Sequence, residues 1–183
     1  MTFELRIQRQ GIDPTAESSL HALRDIMQLP VIAVEHGELL QIDVAGSVDS
    51  AATRQALEKA ASRAGRYVNL NRDAMLWDVE DSTRPAPHSG CAVDLWVRQG
   101  DGGEARALQW FRQHSGVECQ AVRRGRWYRV HVQTADPQEA KRCVAELANS
   151  RSRRVGLLAN PHTESVDILR VQPNQKGSVG YAV

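Results

Sequence analysis

Apolar and polar residues alternate along residues 3–8, FELRIQ, near the start of the chain. Alternation with a period of two is typical of a strand that buries one of its faces. Shortly after it, Asp13 is followed by Pro14, which is the usual order of an N-cap and a proline at the first helical position. Leucine and isoleucine then recur at helical spacing in residues 20–27. The pattern predicts a strand followed by a helix.

The remainder of the first half contains further short periodic stretches. His36-Gly37 separates two of them, and we expect a hairpin-like turn there because glycine adopts positive φ without a steric penalty. The predicted elements are strands at residues 31–35 and 39–44, a helix at 49–63 and a strand at 74–79. The predicted order of elements in this half is βαββαβ.

The second half repeats the pattern of the first. AVEHGELLQIDV at residues 33–44 and AVRRGRWYRVHV at residues 121–132 share the frame AVxxGxxxxxxV, 88 positions apart. RQG recurs after 89 positions, and WDV at Trp77 corresponds to VDI at Val166 after 89 positions. A spacing that varies so little indicates an internal duplication. The corresponding elements are a strand at 93–97, a helix through Leu108 and Phe111, strands on either side of Gly125, a helix capped by Asp136-Pro137 and a strand at 165–169.

The duplication sets the predicted domain organisation and fold class. Residues 1–81 form the first repeat, 82–90 a proline-rich linker, 91–169 the second repeat and 170–183 a C-terminal tail. The predicted fold is α+β, with two βαββαβ repeats whose antiparallel sheets carry helices on one face. Leu39, Trp96 and Trp127 fall on the helix-free face, where large apolar groups need cover. We therefore expect the repeats to pack as a fused pseudo-dimer, sheet face against sheet face or edge to edge.

The segment RRGRWYRVHV, residues 123–132, has the composition of a nucleic-acid-binding strand. Arginines neutralise phosphates, and aromatic rings such as Trp127 and Tyr128 stack on bases. The corresponding strand of the first half lacks the basic charge, however, because Glu38 occupies the position of Arg126. Alternation places Trp127 on the open face and Tyr128 in the core. A partly exposed strand with flanking arginines explains the segment better than an RNA-binding surface does.

Composition narrows the function classes further. The 183 residues include 23 basic and 22 acidic side chains, so no global field draws the chain to nucleic acid or anionic lipid. No apolar run approaches the roughly 20 residues of a membrane helix, and the first residues do not have the pattern of a secretory signal. Three widely spaced cysteines without a CxxC pair are typical of reduced thiols in a cytoplasmic protein. The histidines lack metal-site spacing, so we expect neither a metal nor another cofactor.

Three stretches have a characteristic order in the chain. GIDPTAESSLHALRDI at residues 11–26 is followed by VIAVEHGELLQIDV at 31–44, and ELANSRSRRVGLLANPHTESVDI occupies residues 146–168. They resemble the PurS family, the small subunit of phosphoribosylformylglycinamidine synthase. That family has a strand, G-x-x-D-P-x-G, a helix and V-x-x-G-[KR] near its start, and L-L-A-N-P before a closing strand. The resemblance covers residues 3–81 and again 91–169.

Each half keeps a different part of the family pattern. Asp13-Pro14 occurs only in the first half, whereas Arg126 and the L-L-A-N-P motif at residues 157–161 occur only in the second. PurS proteins usually act as dimers of one repeat. The chain therefore resembles that dimer fused in tandem, similar to the PurS-like N-terminal domain of the single-chain enzyme.

The resemblance implies a role in assembly. In the family the PurL subunit carries out the ATP-dependent step, PurQ releases ammonia from glutamine, and PurS joins them. The implied function is a non-catalytic subunit for de novo purine biosynthesis, with PurL-like and PurQ-like partners in the cytoplasm and no nucleic-acid or membrane partner. The sequence has no evident Ser/His/Asp or Cys/His nucleophile arrangement and no GxxxxGK[ST] loop, which agrees with this expectation.

The predicted partner-binding residues lie in the turns and in the L-L-A-N-P loop. A homodimer must use one sequence on both sides of its two-fold axis, and fusion removes that constraint. We therefore expect the two turn regions to face different partners. The residues are His36, Gly37, Arg124, Gly125, Arg126, Asn160 and Pro161.

Two other function classes stay open. Tandem βαββαβ units also build amino-acid-sensing domains, so a small-ligand regulatory module is one alternative. An RNA-binding protein that uses residues 123–129 is the weaker alternative, and it would bind with a strong salt dependence.

Overall fold

The computed structural model describes residues 1–46, 49–77, 89–99, 103–149, 158–160 and 163–174, and within them the chain is an α+β protein. The strands are β1 (Thr2–Arg9), β2 (Val31–Val44), β3 (Asp73–Trp77), β4 (Gly90–Gln99), β5 (Cys119–Val132) and β6 (Glu164–Asn174). The helices are α1 (Pro14–His21), α2 (Ser50–Ser62), α3 (Glu104–His114) and α4 (Pro137–Asn149). A π-helical turn, Ala22–Ile26, continues α1. No helix in the described ranges is both long and apolar enough to cross a membrane.

The helix starts that the sequence predicts after Asp49 and Asp136 are confirmed. The Asp49 carboxylate caps α2 by accepting the backbone N–H groups of Ala51 at 2.9 Å and Ala52 at 3.4 Å. The Asp136 carboxylate accepts the backbone N–H of Gln138 at 2.9 Å, so α4 begins at Pro137 as predicted. Helix starts are well predicted here because each depends on a few neighbouring residues.

The six strands form one antiparallel sheet in the order β3-β1-β2-β5-β4-β6. β1 pairs with β2, where Arg6 lies opposite Leu39, and with β3, where Leu5 lies opposite Trp77. The central strands β2 and β5 therefore come from different halves of the sequence. β6 continues to Asn174, five residues past its predicted end at Leu169, so the first part of the predicted tail is strand.

The chain divides into two compact units, and each takes residues from both halves of the sequence. The first unit comprises Met1–Asp13, Gly37–Ser82 and Arg98–Trp127. The second comprises Pro14–His36, Thr83–Val97 and Tyr128–Val183. The boundaries fall inside β2 and β5, so each unit contains one part of either strand.

Each unit has its own hydrophobic core. In the first, alternate residues of β1 and β2 pack against α2 and α3, with Leu57 and Phe111 fully buried. In the second, alternate residues of β4 and β5 pack with Leu23 and with Val144 of α4. One helix from each half of the sequence therefore contributes to each core.

The structure corrects the predicted βαββαβ order at one point in each half. β2 runs through His36 and Gly37 without a turn, and β5 runs through Gly125 in the same way. Gly37 was predicted to form a turn, but its role in the structure is steric. A Cβ atom at this position would collide with the backbone carbonyl oxygen of Ile7 in β1. Glycine here permits the close approach of two strands, which sequence alone does not distinguish from a turn.

Two pairs of elements, one member from each half, have equal lengths. β2 and β5 are both 14 residues long and lie 88 positions apart, and α2 and α4 are both 13 residues long. The core residues Phe3, Leu5 and Ile7 correspond to Val93, Leu95 and Val97, a spacing of 90 positions rather than the 89 inferred from RQG.

The three large apolar residues predicted to need cover are all buried. Leu39 and Trp127 are 0% exposed and Trp96 is 3% exposed. Arg6 is also fully buried, and its guanidinium carbon lies 4.9 Å from the centroid of the Trp127 ring. The helix-free side of the sheet is thus an interior surface at these positions, as the burial argument predicted.

Gly37→Ala should lower the free energy of unfolding by about 3 kcal/mol, because the added methyl group meets the Ile7 backbone, which cannot move without disturbing the β1–β2 pairing. Gly11→Ala is the control: its φ of +81° strains an alanine, but a Cβ meets no atom within 4 Å. The control should cost about 1 kcal/mol. Urea unfolding of both variants checks this, and equal losses would contradict the steric role of Gly37.

Residues 1–81 and 91–183, expressed separately, should each fail to unfold cooperatively, because each core needs helices and strands from both halves. Mixing the two fragments should restore a cooperative transition in circular dichroism. Two fragments that are each monomeric, soluble and cooperatively folded would show that the halves are independent domains.

Candidate functional site

The predicted partner-binding residues lie at the centre of the sheet and in one loop. His36 and Gly37 are in β2, and Arg124, Gly125 and Arg126 are in β5, all of them half-buried. They are therefore strand residues and not turn residues. Asn160 lies in the exposed loop before β6, whereas Pro161 lies outside the described residues.

Arg124 joins a carboxylate to an aromatic ring. Its Nε donates a hydrogen bond to the Glu38 carboxylate, and its guanidinium carbon lies 5.7 Å from the centroid of the Tyr67 ring. The side chain is 41% exposed, so this arginine keeps access to solvent. His36, on the neighbouring strand, lies against Tyr128 with a ring-centroid distance of 4.9 Å.

The other arginines of residues 123–132 are also engaged within the protein. Arg123 donates to the Asp43 carboxylate at 2.6 Å. Arg129 is buried and donates to both oxygens of Asp94, at 2.7 and 2.9 Å. Such bidentate pairs are strong and geometrically specific. Carboxylates thus compensate Arg123, Arg124 and Arg129, which had suggested phosphate binding.

Burial of the aromatic residues further weakens the RNA-binding hypothesis. Trp127 is 0% and Tyr128 is 1% exposed, whereas a base-stacking ring must present a face to the strand it binds. Tyr128 belongs to the core of the second unit, as alternation predicted. The basic and aromatic composition of the segment is explained by internal pairing and packing.

A partly exposed cluster that the sequence did not predict surrounds Tyr67. Trp110 and Tyr67 meet edge to face at 6.4 Å, and His114 stacks on Trp110 at 4.0 Å. The guanidinium carbon of Arg66 lies 5.9 Å from the centroids of both larger rings. These four residues with Arg124 form what we call the aromatic–arginine surface, which includes one of the predicted site residues.

Local contacts hold the aromatic–arginine surface in place. The Trp110 Nε1–H donates to the carbonyl oxygen of Ala60 at 2.9 Å, which fixes α3 against α2. Tyr67 stacks on the buried Phe111 at 5.6 Å. Arg66 is exposed, whereas Tyr67, Trp110 and His114 are half-buried. The rings are anchored on one side and partly exposed to solvent, which is a suitable arrangement for protein recognition.

The loop before β6 has a specific hydrogen-bond pattern. The backbone N–H of Asn160 donates to the Glu164 carboxylate at 2.7 Å. The carbonyl oxygen of Asn160 accepts from the N–H groups of Thr163 at 3.1 Å and Glu164 at 2.8 Å. The asparagine and the acidic residue four positions later thereby close the loop.

The loop before β3 has the same pattern, although its sequence did not match L-L-A-N-P. The Asn69 N–H donates to the Asp73 carboxylate at 3.0 Å, and the Asn69 carbonyl oxygen accepts from Arg72 and Asp73 at 2.8 and 2.7 Å. The two loops lie 91 positions apart rather than 89. The sequence pattern that could have identified the loop before β3 is an asparagine followed by an acidic residue four positions later.

Two cysteine thiols have raised pKa values. Burial raises the pKa of Cys119, although a contact with Ser115 acts in the opposite direction. Burial also raises the pKa of Cys91. Both side chains are therefore held as neutral thiols at neutral pH, the less reactive form. Within the part of the chain that the structure describes, no three His, Cys, Asp or Glu side chains come together as a metal site would require.

Comparisons with known proteins do not assign the chain to a family. No protein-family model matches the sequence. No curated protein is significantly similar to it.

Asp73→Asn tests the Asn69 loop. Hydrogen bonds from Arg72, followed by the Asn69 N–H, hold the pKa of the Asp73 carboxyl below its usual range. A lowered folded-state pKa adds stability that is fully present above the unfolded value of about 3.9 and is lost as the pH falls through the lower folded value. We expect a loss of about 2 kcal/mol at pH 7 that disappears at the acid end.

Thermal unfolding of wild type and variant between pH 7 and pH 2 measures this difference. Glu17→Gln, at an exposed position in α1, is the control and should leave the profile unchanged. A difference between wild type and Asp73→Asn that stays constant across the whole pH range would contradict the linkage.

Proposed function

We propose that this chain is a non-catalytic assembly subunit of phosphoribosylformylglycinamidine synthase. It consists of two PurS-like repeats fused in tandem, and it acts in the cytoplasm. It bridges a PurL-like synthetase subunit, which performs the ATP-dependent step, and a PurQ-like glutaminase subunit. The observation that carries the proposal beyond the sequence resemblance is the aromatic–arginine surface, whose composition suits a protein partner.

The correspondence of the halves supports the tandem-repeat part of the proposal. Within the described residues, both halves have the order βαβαβ, and the sheet order β3-β1-β2-β5-β4-β6 places corresponding strands at equal distances from its centre. The loops closed by Asn69 with Asp73 and by Asn160 with Glu164 share three hydrogen bonds. Matching at this level of detail is what duplication of one unit produces.

The aromatic–arginine surface supports the binding part of the proposal. Trp, Tyr and Arg are the residues that contribute most to protein–protein affinity, because each combines a large contact area with a polar group. Trp110 and Tyr67 are already fixed by Ala60 and Phe111, so a partner loses little side-chain entropy by binding them. A rigid, partly exposed aromatic pair beside Arg66 is well suited to anchor a partner.

The part of this surface that α3 contributes has no equivalent at the corresponding positions of the first half, which supports two different partners. By the 88-position correspondence, Trp110 and His114 of α3 correspond to Ala22 and Ile26, which follow α1. Ile26 is 70% exposed, whereas His114 stacks on Trp110. One half thus presents an exposed aliphatic residue where the other presents a histidine stacked on a tryptophan. Each surface fits a partner of different chemistry.

Capture of the two synthase subunits tests the proposal. The tagged chain, mixed with purified PurL-like and PurQ-like subunits, should retain both. Arg66→Glu should weaken the retention of one subunit by at least about tenfold, with the melting temperature changed by less than about 2 °C, because an exposed interface charge affects association more than folding. Arg106→Glu, exposed on α3, is the matched control and should retain both subunits as wild type does.

Several outcomes would overturn the proposal. Retention of neither subunit by the wild-type chain would remove the assembly function, and equal retention by Arg66→Glu and wild type would remove the aromatic–arginine surface from it. A thermal shift with an amino acid, without capture of either subunit, would favour a ligand-binding regulatory module. Capture abolished by ribonuclease would indicate RNA as the binding partner.

A further inference from the structure

The two central strands carry opposite charges at corresponding positions. β2 contains the three acidic residues Glu35, Glu38 and Asp43, whereas β5 contains four arginines and His131. Because β2 and β5 correspond at a spacing of 88 positions, Glu35 corresponds to Arg123 and Asp43 to His131. Two strands of equal length in equivalent positions thus differ in the sign of their charge.

Two cross-strand pairs join these four residues. Arg123 donates to Asp43 at 2.6 Å, and His131 lies 2.9 Å from the Glu35 carboxylate. The 88-position correspondence relates the two pairs: Arg123 of one pair corresponds to Glu35 of the other, and Asp43 corresponds to His131. Where one pair has its acidic residue, the other has its basic residue. Each pair therefore still joins an acidic residue of β2 to a basic residue of β5.

Pairing between like halves would lose both attractions. If two first halves associated through β2 in the same geometry, each Glu35 would meet an Asp43, and both are acidic. If two second halves associated through β5, each Arg123 would meet a His131, and no carboxylate would be there to accept the arginine's hydrogen bond. Two carboxylates that face each other across paired strands destabilise the pairing, and an arginine without its carboxylate loses an attraction that the unlike pairing keeps.

Partial burial strengthens this selection. The His131 side chain is 2% exposed, and Glu35, Asp43 and Arg123 are 22%, 24% and 38% exposed. Salt screens a pair less well when water is partly excluded from it. A third pair, between Glu38 and Arg124, also has the acid in β2 and the base in β5, but these residues correspond to Arg126 and His36, so this pair takes no part in the exchange.

We infer that the charge polarity of β2 and β5 selects pairing between unlike halves and excludes pairing between like halves, so that β2 and β5 pair within one chain instead of assembling with a second copy through β2–β2 or β5–β5 contacts. This rests on the correspondence of the two strands and not on the proposed synthase partners. The edge of β2 is therefore covered by β5, and the edge of β5 by β2, because their charges are complementary.

Three full-length variants that share one substitution test the inference. Arg123→Glu alone places two acidic residues opposite each other at Asp43. Adding Asp43→Lys restores an attraction between unlike halves. Adding Glu35→Lys instead keeps the repulsion at Asp43, removes the carboxylate partner of His131, and places a lysine where a β2–β2 pairing would meet Asp43. The two double variants have the same net charge as wild type, so they differ only in where the charges lie.

The Asp43→Lys double variant should recover most of the wild-type melting temperature and keep the wild-type mass in sedimentation velocity. Recovery should be incomplete because Asp43 also accepts the Thr2 hydroxyl at 2.7 Å. The Glu35→Lys double variant should melt roughly 5 °C below wild type, and its mean mass should rise with protein concentration as like halves associate.

The comparison stays decisive even if the Glu35→Lys double variant does not fold, because Arg123→Glu and its Asp43→Lys partner differ at one residue. Failure of Asp43→Lys to raise the melting temperature of Arg123→Glu would overturn the inference. So would a Glu35→Lys double variant with the stability and mass of wild type. The partner-capture experiment is independent of both outcomes.

Discussion

Pairing of β2 with β5 at the centre of the sheet is the interaction on which the rest of the structure depends. These two strands come from different halves of the sequence, and each contributes one part to either compact unit. The helices follow this division, since α2 and α3 share one core and Leu23 and α4 share the other. Neither half of the sequence contains a complete core, so the folding of each half depends on the other.

The acidic and basic side chains of this strand pair explain an otherwise misleading segment. Four arginines and two aromatic residues in β5 have the composition of a nucleic-acid-binding strand, yet Asp43, Glu38 and Asp94 compensate three of the arginines. The aromatic rings are buried. A basic strand beside an acidic strand is a recognition device within the protein, and its local charge says nothing about an external polyanion.

The surface proposed for partner binding adjoins this strand pair through Arg124, which contacts both Glu38 and Tyr67. Trp110 and Tyr67 are rigid because Ala60 and Phe111 hold them, and Arg66 adds a cation beside both rings. The Asn69 and Asn160 loops, in contrast, are alike in their hydrogen bonds. Under the proposed function, loop closure serves folding in both halves, whereas a binding surface is needed only where a partner lies, which would account for loops that are alike beside a surface that is not repeated.

The sequence by itself determined the features that depend on neighbouring residues. These are the strand alternation, the helix starts at Asp49 and Asp136, and the spacing between β2 and β5. It also predicted that Trp96 and Trp127 need cover, since burial of a large apolar group follows from its chemistry. Only the tertiary structure decided that Gly37 permits a close approach to Ile7 instead of forming a turn, and that Trp110 meets Tyr67. Such contacts join residues far apart in the chain, so no local pattern encodes them.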